Sequence, residues 1–453
     1  MLRLYDTALA TVAEIEPRDP GRLSLYVCGP TVSGEPHLGH GRFNLVWDVL
    51  RRYARWSGLD VHFVSNVTDI EDKIIKRAAD EGRSTVEVAA HYETVWWDTM
   101  GRLGIERPDD DPHATAYVEH MVALIATLID RAHAYVGGDG VYFASETIEG
   151  YGLLARQPLD SLRAGARVAL DEETGKRSPV DFVLWKLAKA GEPSWPSPWG
   201  AGRPGWHTEC VVMSLDLLGD GFDLHGGGND LAFPHHENER AQAIGAGHAF
   251  ARRWVHSGMV EAKGGEKMSK SVGNVISLIE LIDAYDPRAL RLQVLQSHYR
   301  SPVEITYETV ADAAKTLQRL DRFADDFSAA RGATPDAEAR AAFVERMDDD
   351  LDTPRAVAGL FELMRRARAA DGGEAVALAA MVLDGFEEAL GLPLGSAGAE
   401  LEVPAEIAAL GVARDAARRA KNWPEADRLR GELTALGWTV EDGPEGTVVR
   451  KNP

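Results

Sequence analysis

The sequence predicts an α/β unit built on a parallel sheet, followed by a region that is almost entirely helical. The first observation is a strand pattern in LSLYVCGPTV, a helix pattern in LGHGRFNLVWDVLRRYARWSG and a second strand pattern in DVHFVSNVTDI. Strand, helix and strand in succession form the repeating unit of a parallel sheet. The second observation is a run of amphipathic helical segments over residues 311–390.

An insertion interrupts the α/β pattern. Residues 118–134 have a helical pattern, GVYFAS has a short strand pattern, and SWPSPWGAGRPGW is dense in Pro, Gly and Trp. The strands FDLHGGG and RRWVHSGMVE then resume the α/β pattern. We therefore expect the first half of the α/β unit at 1–110, an insertion at 111–204 and the second half of the α/β unit at 205–262.

The C-terminal third contains two further units. A helical bundle is expected at 311–396, and a small module at 402–453 combines two helices with two strands around a Gly/Pro turn. The second of those helices opens with Pro424, a residue favoured at the first helical position.

Composition limits the functions to consider. The chain has 453 residues, 45% hydrophobic and 26% charged, which is typical of a globular protein with two to four domains. A net charge of −22 argues against indiscriminate binding to nucleic acid. No apolar run approaches the ~18 residues of a membrane span, and no secretory peptide is evident, so we expect a cytoplasmic protein. Two cysteines exclude a disulfide framework.

The stretch FPHHENE offers metal ligands. If a helix begins at Pro234, His235 and Glu239 lie one turn apart on one face. Cys28 ends the first strand and Cys210 lies in GWHTECVVMS, so both thiols can reach the same crevice of the sheet. Together these side chains form a tetrahedral zinc set. From spacing alone, two buried unreactive cysteines and a solvated helix end remain an equal alternative.

Two further motifs are suited to phosphate binding. In PHLGHGR, His37, Gly39 and His40 lie at the start of a helix, whose free amides and dipole attract phosphate. In GGEKMSKSVGN, Lys267 and Lys270 form a cationic clamp for a triphosphate. A polar helix start and a surface loop are the alternatives.

Together these motifs resemble those of the class I aminoacyl-tRNA synthetases. YVCGPTV, NVTDIEDKI, PSWPSPWGAGRPGWHTEC and HGGGNDLAFPHHENE are similar, in that order, to segments of the cysteinyl-tRNA synthetase family. The resemblance covers essentially the whole chain. It implies a Rossmann-type catalytic domain with an inserted connective subdomain, a KMSKS loop and stem-contact region at 263–310, the bundle, and an α+β anticodon-binding module at the C-terminus.

The resemblance also implies roles for the motif residues. One zinc ion per chain would be held by Cys28, Cys210, His235 and Glu239, and would bind the thiolate of the substrate cysteine in preference to serine. The ATP site would include His37, His40, Gly228, Asp230, Lys267 and Lys270, with magnesium on the triphosphate, and Gly226, Gly227 and Gly228 would let the backbone approach the nucleotide. The cysteine pocket would include Gly29, Thr31, Thr68 and Trp206.

One segment departs from the family pattern. The family usually has an aromatic residue and an acid where this chain has Ser33 and Gly34, so no role is assigned to those side chains.

The implied reaction is ATP-dependent activation of L-cysteine to cysteinyl adenylate and transfer to cysteine tRNA, by a monomer without a membrane partner. Basic and aromatic residues of the last module are expected to contact tRNA: Arg414, Arg418, Arg419, Arg428, Arg430 and Trp438, with Lys421 and Trp423 nearby. A solvated helix face is the alternative for this set.

Two other functions are considered. A cysteine ligase that acts on an amino sugar, as in mycothiol synthesis, has a similar core, but a small acceptor does not explain the basic C-terminal module. A nonenzymatic nucleotide or RNA binder predicts loss of the catalytic groups, whereas all of them are present in this sequence.

Overall fold

The computed structural model describes residues 1–158, 161, 175–262, 266–267, 276–395, 405–420, 422–436, 438–443 and 446–451. The chain opens with an antiparallel hairpin of β1 (Arg3–Asp6) and β2 (Thr11–Glu14). Sequence analysis did not predict this hairpin, whose strands have only four residues each.

The predicted strand, helix and strand follow as β3 (Arg22–Val27), α1 (Leu38–Trp56) and β4 (Asp60–Ser65). The two strands are parallel neighbours. The helix covers one face of the sheet with the side chains expected from its periodicity, namely Leu45, Val49, Leu50 and Tyr53, all buried. Two helices then lead away from β4: α2 (Asp72–Glu81) and α3 (Thr85–Arg102).

The insertion forms its own small sheet. After α4 (Val118–Asp130), four antiparallel strands pair in chain order. They are β5 (Ala134–Val136), β6 (Gly140–Phe143), β7 (Phe182–Leu187) and β8 (Gly202–Pro204). The indole of Trp185 is buried at the centre of this sheet and donates to the carbonyl of Gly200.

The catalytic sheet is completed by α5 (Trp206–Leu218), β9 (Leu224–Gly228), α6 (Glu237–Ala246) and β10 (Arg253–Ser257). Its strand order is β10-β9-β3-β4, and all neighbours are parallel. After β3 the chain continues to β4, which lies on one side of β3. The later strand β9 lies on the other side of β3. The crevice at the carboxyl ends of β3 and β9 is therefore the switch point where open α/β sheets bind ligands.

A three-stranded sheet follows the catalytic unit. β11 (Val260–Ala262) pairs with β12 (Glu266–Lys267) and, after α7 (Leu278–Ala284) and α8 (Pro287–Leu295), with β13 (Val303–Glu304). The predicted bundle consists of α9 (Tyr307–Asp326), α10 (Ala337–Asp348), α11 (Thr353–Ala369) and α12 (Gly372–Asp384).

The bundle and the sheet share one hydrophobic core. Buried side chains run without interruption from Leu25 in β3 through Val49 in α1 to Phe343 and Phe386 in the bundle region. A buried ion pair joins α1 to α8, since Nη1 of Arg291 lies 2.7 Å from a carboxylate oxygen of Asp48. The same nitrogen donates to the carbonyl of Leu390, just after the bundle.

The last unit has the expected content: α13 (Ala405–Arg419), α14 (Trp423–Ala435) and a hairpin of β14 (Trp438–Gly443) and β15 (Gly446–Lys451). Its core contains Ile407, Leu433 and Trp438. Across the described part of the chain, no helix combines the length and apolar character needed to cross a membrane.

Candidate active site and metal centre

One crevice brings together many of the side chains that the sequence analysis selected. It forms a cavity of about 840 Å³ at the carboxyl ends of β3 and β9. Among its lining residues are Cys28, Cys210, His235, His37, His40, Thr68, Trp206, Gly228 and Asp230. Motifs that lie up to 200 residues apart in the sequence are thus brought to one site.

The four predicted metal ligands meet in this crevice and are buried. The sulfur atoms of Cys28 and Cys210 lie 3.7 Å apart. Nε2 of His235 lies 3.6 Å from the sulfur of Cys210 and 2.9 Å from Oε1 of Glu239. The same Oε1 atom lies 3.4 Å from the sulfur of Cys28.

These separations fit a tetrahedral zinc ion. Zinc binds sulfur at about 2.3 Å and imidazole nitrogen at about 2.0–2.1 Å, which places two sulfurs about 3.7 Å apart and a sulfur and a nitrogen about 3.5 Å apart. The donor set of two thiols, one imidazole and one carboxylate also matches zinc in softness. The residues present therefore fit a zinc ion.

Local structure places each ligand. Cys28 directly follows β3, and Cys210 lies in the first turns of α5. A helical turn at Ala232–His236 runs directly into α6, so His235 and Glu239 are four residues apart on one helical face, as predicted.

The charges at the ligand cluster depend on one another. Although burial opposes ionisation of Glu239, the nearby His225 and His235 hold the pKa of its carboxyl well below the usual value. Burial also opposes protonation of His235, but Glu239 and Cys210 raise its pKa to about 10. Burial favours the neutral thiol of Cys210, yet its hydrogen bonds with Cys28 and His235 lower the pKa to about 6. The cluster therefore carries a carboxylate and a low-pKa thiol that attract a cation.

Sequence reasoning missed the histidines around this cluster. His225 approaches the second carboxylate oxygen of Glu239 at 2.6 Å, and Nδ1 of His207 lies 2.7 Å from Nδ1 of His235. Such contacts fix the orientation of metal ligands. The doubled histidine in FPHHENE gives no indication of which ring binds and which supports.

A second set of potential ligands overlaps the first. It consists of Cys28, His225, His236 and Glu239. His236 lies 3.3 Å from the sulfur of Cys28, and its other ring nitrogen lies 2.9 Å from His256. The set containing Cys210 offers two sulfurs instead of one, and zinc prefers it on grounds of softness.

The HLGH motif forms the N-terminus of α1. His37 is the N-cap, its ring accepts from the amide of His40, and the ring of His40 accepts in turn from the amide of His37. The two rings are stacked with centroids 3.6 Å apart. A side chain at Gly39 would lie 3.0 Å from the ring of His37, so the missing side chain permits this arrangement.

The imidazole of His40 is neutral at physiological pH. Its ring packs against Trp96, and burial, followed by the nearby charges of His37 and Lys73, lowers its pKa to about 3. A neutral imidazole can donate one hydrogen bond to a phosphate oxygen without titrating during the reaction.

Gly226, Gly227 and Gly228 were expected to let the backbone approach the nucleotide. Packing within the protein explains two of these three glycines. A side chain at Gly226 would lie 2.6 Å from the ring of Trp47, and one at Gly227 would lie 2.3 Å from the ring of His236. These two glycines therefore accommodate side chains of the protein itself. Gly228 and Asp230 line the cavity, as the ATP-site assignment requires.

The predicted cysteine pocket adjoins the metal ligands. Thr31 and Thr68 are bridged through their backbones, and the ring of Trp206 lies 4.1 Å from that of His235. Gly29 permits close packing, since a side chain there would lie 1.6 Å from the carbonyl oxygen of Asn66. The four predicted pocket residues therefore lie around one wall of the crevice.

Glu209 is a pocket residue that sequence reasoning did not select. Its carboxyl group is buried, lines the cavity and accepts hydrogen bonds from the hydroxyl of Thr68 and the side-chain amide of Asn66. Burial and the neighbouring Cys210 raise its pKa well above the usual value. Within the described residues, no Lys or Arg forms an ion pair with it.

The cavity is also lined by Ser33 and Gly34, the two positions at which the sequence departs from the family pattern. The guanidinium of Arg77 lies 3.3 Å from the position that a side chain at Gly34 would occupy. The missing acid therefore leaves a cation close to the opening of the site.

The remaining predicted site residues belong to the KMSKS segment and to the last unit of the chain. The backbone of Lys267 belongs to β12, whereas Lys270 and Lys421 lie outside the described residues. In the last unit, Arg414 and Trp438 are buried rather than available to RNA. Arg419, Arg428 and Arg430 are exposed, Arg418 is half-buried, and Arg428 is held between Glu425 and Glu432 at 2.8 Å from each.

Comparisons with known proteins agree with this arrangement. A family model for the class I (C) tRNA synthetase catalytic domain matches residues 14–315, a DALR domain model matches 342–395, and a cysteinyl-tRNA ligase anticodon-binding domain model matches 401–450. The cysteine–tRNA ligase of Methylococcus capsulatus is 44% identical, with 100% of each chain covered. That of Pseudomonas aeruginosa is 46% identical, with 99% of each covered.

Solved structures show the same fold at lower identity. Methionyl-tRNA synthetase of Mycobacterium tuberculosis, in complex with methionyl-adenylate, aligns with a TM-score of 0.58 at 17% identity, covering 81% of this chain and 89% of that one. The LeuRS-tRNA-LeuAMS ternary complex of Agrobacterium radiobacter aligns with a TM-score of 0.61 at 11% identity, covering 84% and 85%.

Proposed function

The chain belongs to the cysteine–tRNA ligase family of class I aminoacyl-tRNA synthetases, and from this premise we propose how its crevice selects and activates cysteine. The enzyme activates L-cysteine with ATP and transfers it to tRNA. The amino-sugar ligase alternative has no support, because relatives that charge tRNA match the full length and an anticodon-binding domain model covers 401–450.

A zinc ion in the crevice would be held by Cys28, Cys210, His235 and Glu239. The tetrahedral spacing of these side chains and their two sulfur donors support this assignment. When bound, zinc supplies a soft Lewis acid for the substrate thiolate, whereas the hydroxyl of serine is harder and far less acidic. A site that recognises the distinguishing atom so directly can discriminate strongly without a separate editing site.

The polar atoms of the pocket orient the rest of the amino acid. Glu209 is a buried carboxyl beside Cys210, and its hydrogen bond with Thr68 turns that hydroxyl toward the pocket wall. We assign the substrate α-ammonium to Glu209 and Thr68, because a buried carboxylate is stabilised by an adjacent cation. Gly29, Thr31 and Trp206 complete the walls and exclude bulkier side chains.

The phosphate-binding groups lie on the other side of the crevice. The cysteine carboxylate attacks the α-phosphate, and the bond to the β-phosphate breaks to release pyrophosphate. His37 and His40 donate hydrogen bonds to the α-phosphate in this step, and neutral His40 loses no proton in doing so. Gly228 and Asp230 bind the nucleoside portion. Lys267 and Lys270 hold the β and γ phosphates, to which magnesium binds.

The remaining proposals concern assembly and location. ATP, the amino acid and tRNA are the substrates implied by the family. We propose that the enzyme acts as a cytoplasmic monomer, since the crevice and its cluster of four potential metal ligands form within one chain.

The convergence of the four ligands beside Glu209 and Thr68 carries this proposal. The test is charging of cysteine tRNA with labelled cysteine by the full chain, before and after zinc removal and after zinc is restored. Chelation should abolish cysteine charging and zinc should restore it, while serine is not charged in any state. Equal discrimination between cysteine and serine by metal-free and zinc-loaded enzyme would refute the role of the metal.

A further inference from the structure

The helical bundle contains a groove that the reaction described above does not use. It lies between α9 and α11 and has a volume of about 410 Å³. Its lining consists of Thr316, Arg319, Arg322, Phe361, Met364, Arg365 and Arg368. Two arginines, three residues apart, come from each helix, so they face one groove from both sides.

The charges of this arginine groove are largely uncompensated. All four arginines are exposed. Arg368 is paired with Asp326 at 3.2 Å and lies over the ring of Phe323. Throughout the described residues, no hydrogen bond or ion pair involves the side chains of Arg319, Arg322 or Arg365. Like charges in close proximity repel one another, so an anion bound between them is stabilised.

The last unit of the chain differs in this respect. The guanidinium of Arg428 is neutralised by Glu425 and Glu432, and Arg419 lies 3.8 Å from Asp415. Two of the arginines initially expected to bind tRNA are thus compensated by acids, whereas three of the four groove arginines have no such partner among the described residues.

We propose that the arginine groove binds the phosphodiester backbone of the tRNA between its two ends. The inference rests on the proposed function, because the tRNA must reach both the crevice and the unit at 401–450, and the bundle lies between them along the chain. A chain with a net charge of −22 repels RNA over most of its surface. Contact along the bundle therefore requires a local cluster of guanidinium groups, which match phosphate in shape and charge.

Two neighbouring arginines of α11 provide a matched test. Arg365 lines the groove, whereas Arg366 is equally exposed and lies outside the groove lining. The full-length zinc-loaded variants Arg365→Gln and Arg366→Gln are compared with the triple variant Arg319→Gln/Arg322→Gln/Arg365→Gln. The readouts are KM for cysteine tRNA over a range of salt concentrations and cysteine-dependent pyrophosphate exchange without tRNA.

We expect KM for tRNA to rise about threefold in Arg365→Gln and about tenfold or more in the triple variant, with no change in Arg366→Gln. The salt dependence of log KM should become shallower by on the order of one per lost phosphate contact. Pyrophosphate exchange should be unchanged in all three variants. Equal KM values for the Arg365 and Arg366 variants would overturn the groove proposal, whereas failure of the unmodified chain to charge tRNA would overturn the proposed function itself.

Discussion

The metal centre and the arginine groove bind charge in opposite ways. At the metal centre, each of four buried side chains lies within 3.7 Å of at least one other, and further histidines fix their orientation. In the groove, exposed arginines are spread over two helices and mostly lack partners of their own among the described residues. The comparison indicates that the centre supplies selectivity for a small substrate, while the groove supplies affinity for a large one.

This difference has an energetic basis. Removing one member of a buried charged cluster leaves the others desolvated and unpaired, which costs several kcal/mol. Removing one exposed cation changes only a screened interaction worth about 1 kcal/mol or less. Substitutions at the two sites should therefore differ in size and in their sensitivity to salt.

The largest effect is expected for Cys210→Ala. Loss of one of two sulfur ligands should eliminate stoichiometric zinc and lower kcat/KM for cysteine activation by on the order of a thousandfold, because a structural ligand and the substrate-binding metal are lost together. Metal analysis and cysteine-dependent pyrophosphate exchange measure the two effects. Met213→Leu, a buried substitution in the same helix, is the control and should retain zinc. Full zinc occupancy in Cys210→Ala would disprove the ligand assignment.

A smaller effect, of about 100-fold to 1,000-fold on the rate of adenylate formation, is expected for His40→Gln, because one donor to the developing charge is lost. Zinc should be retained. His248→Gln at the surface is the control, since the exposed ring of His248 lies 3.0 Å from the carboxylate of Asp220, outside the crevice lining. An unchanged single-turnover rate in His40→Gln would exclude a role for this ring in phosphate transfer.

The same variant has a predicted effect on the pH dependence of stability. In the native chain His40 has a pKa of about 3, below the value of about 6.5 for an unfolded histidine, so the unfolded state binds more protons between these values. The contribution of neutral His40 is present above about pH 6.5 and is lost as pH falls toward 3. The free energy of unfolding should therefore decline less between pH 7 and 5 in His40→Gln than in the unmodified chain, as measured by urea unfolding. An identical decline in both proteins would contradict the low pKa.

Glu209→Gln should raise KM for cysteine about 10-fold to 100-fold, because a charged hydrogen bond to the substrate is lost. Binding of 3-mercaptopropionate, which has the thiol and carboxylate but no amine, should be unchanged, and zinc should be retained. Glu237→Gln removes another buried carboxylate whose contacts are with Leu154 and Arg240, and it serves as the control. Equal weakening of cysteine and 3-mercaptopropionate would assign Glu209 a structural role only.

The smallest effect is expected at Arg428. Because two glutamates already neutralise its charge, Arg428→Gln should change KM for tRNA less than about twofold, below the effect of Arg365→Gln. A larger effect at Arg428 than at Arg365 would place the main phosphate contacts in the last unit and contradict the comparison.

Sequence alone predicted much of the fold and the chemical core of the site. The strand, helix and strand that bring Cys28 to the crevice, and the helical pairing of His235 with Glu239, follow from periodicity and local spacing. Residues whose role depends on packing were missed. Glu209 lies beside a predicted ligand in the sequence, but its burial next to Thr68 depends on the association of two distant segments.

The same reason explains the differences in the C-terminal half. The arginine groove exists only because α9 and α11 lie on either side of it, and their arginines are about 45 residues apart in the sequence. Conversely, the sequence predicts that Trp438 is available to contact tRNA, but Trp438 packs against Ile407 and Leu433. Exposure of a side chain at the end of a strand or on a polar helix is decided by tertiary contacts that spacing does not reveal.

The most direct test of the central claim is the visible absorption spectrum of the enzyme with cobalt in place of zinc. Charge-transfer bands from thiolate to cobalt report the number of bound sulfur atoms, two of which come from Cys28 and Cys210. Cysteine should intensify these bands by adding a third thiolate, while serine should leave the spectrum unchanged. A spectrum that does not respond to cysteine, or that responds equally to serine, would contradict selection of the substrate through its thiolate.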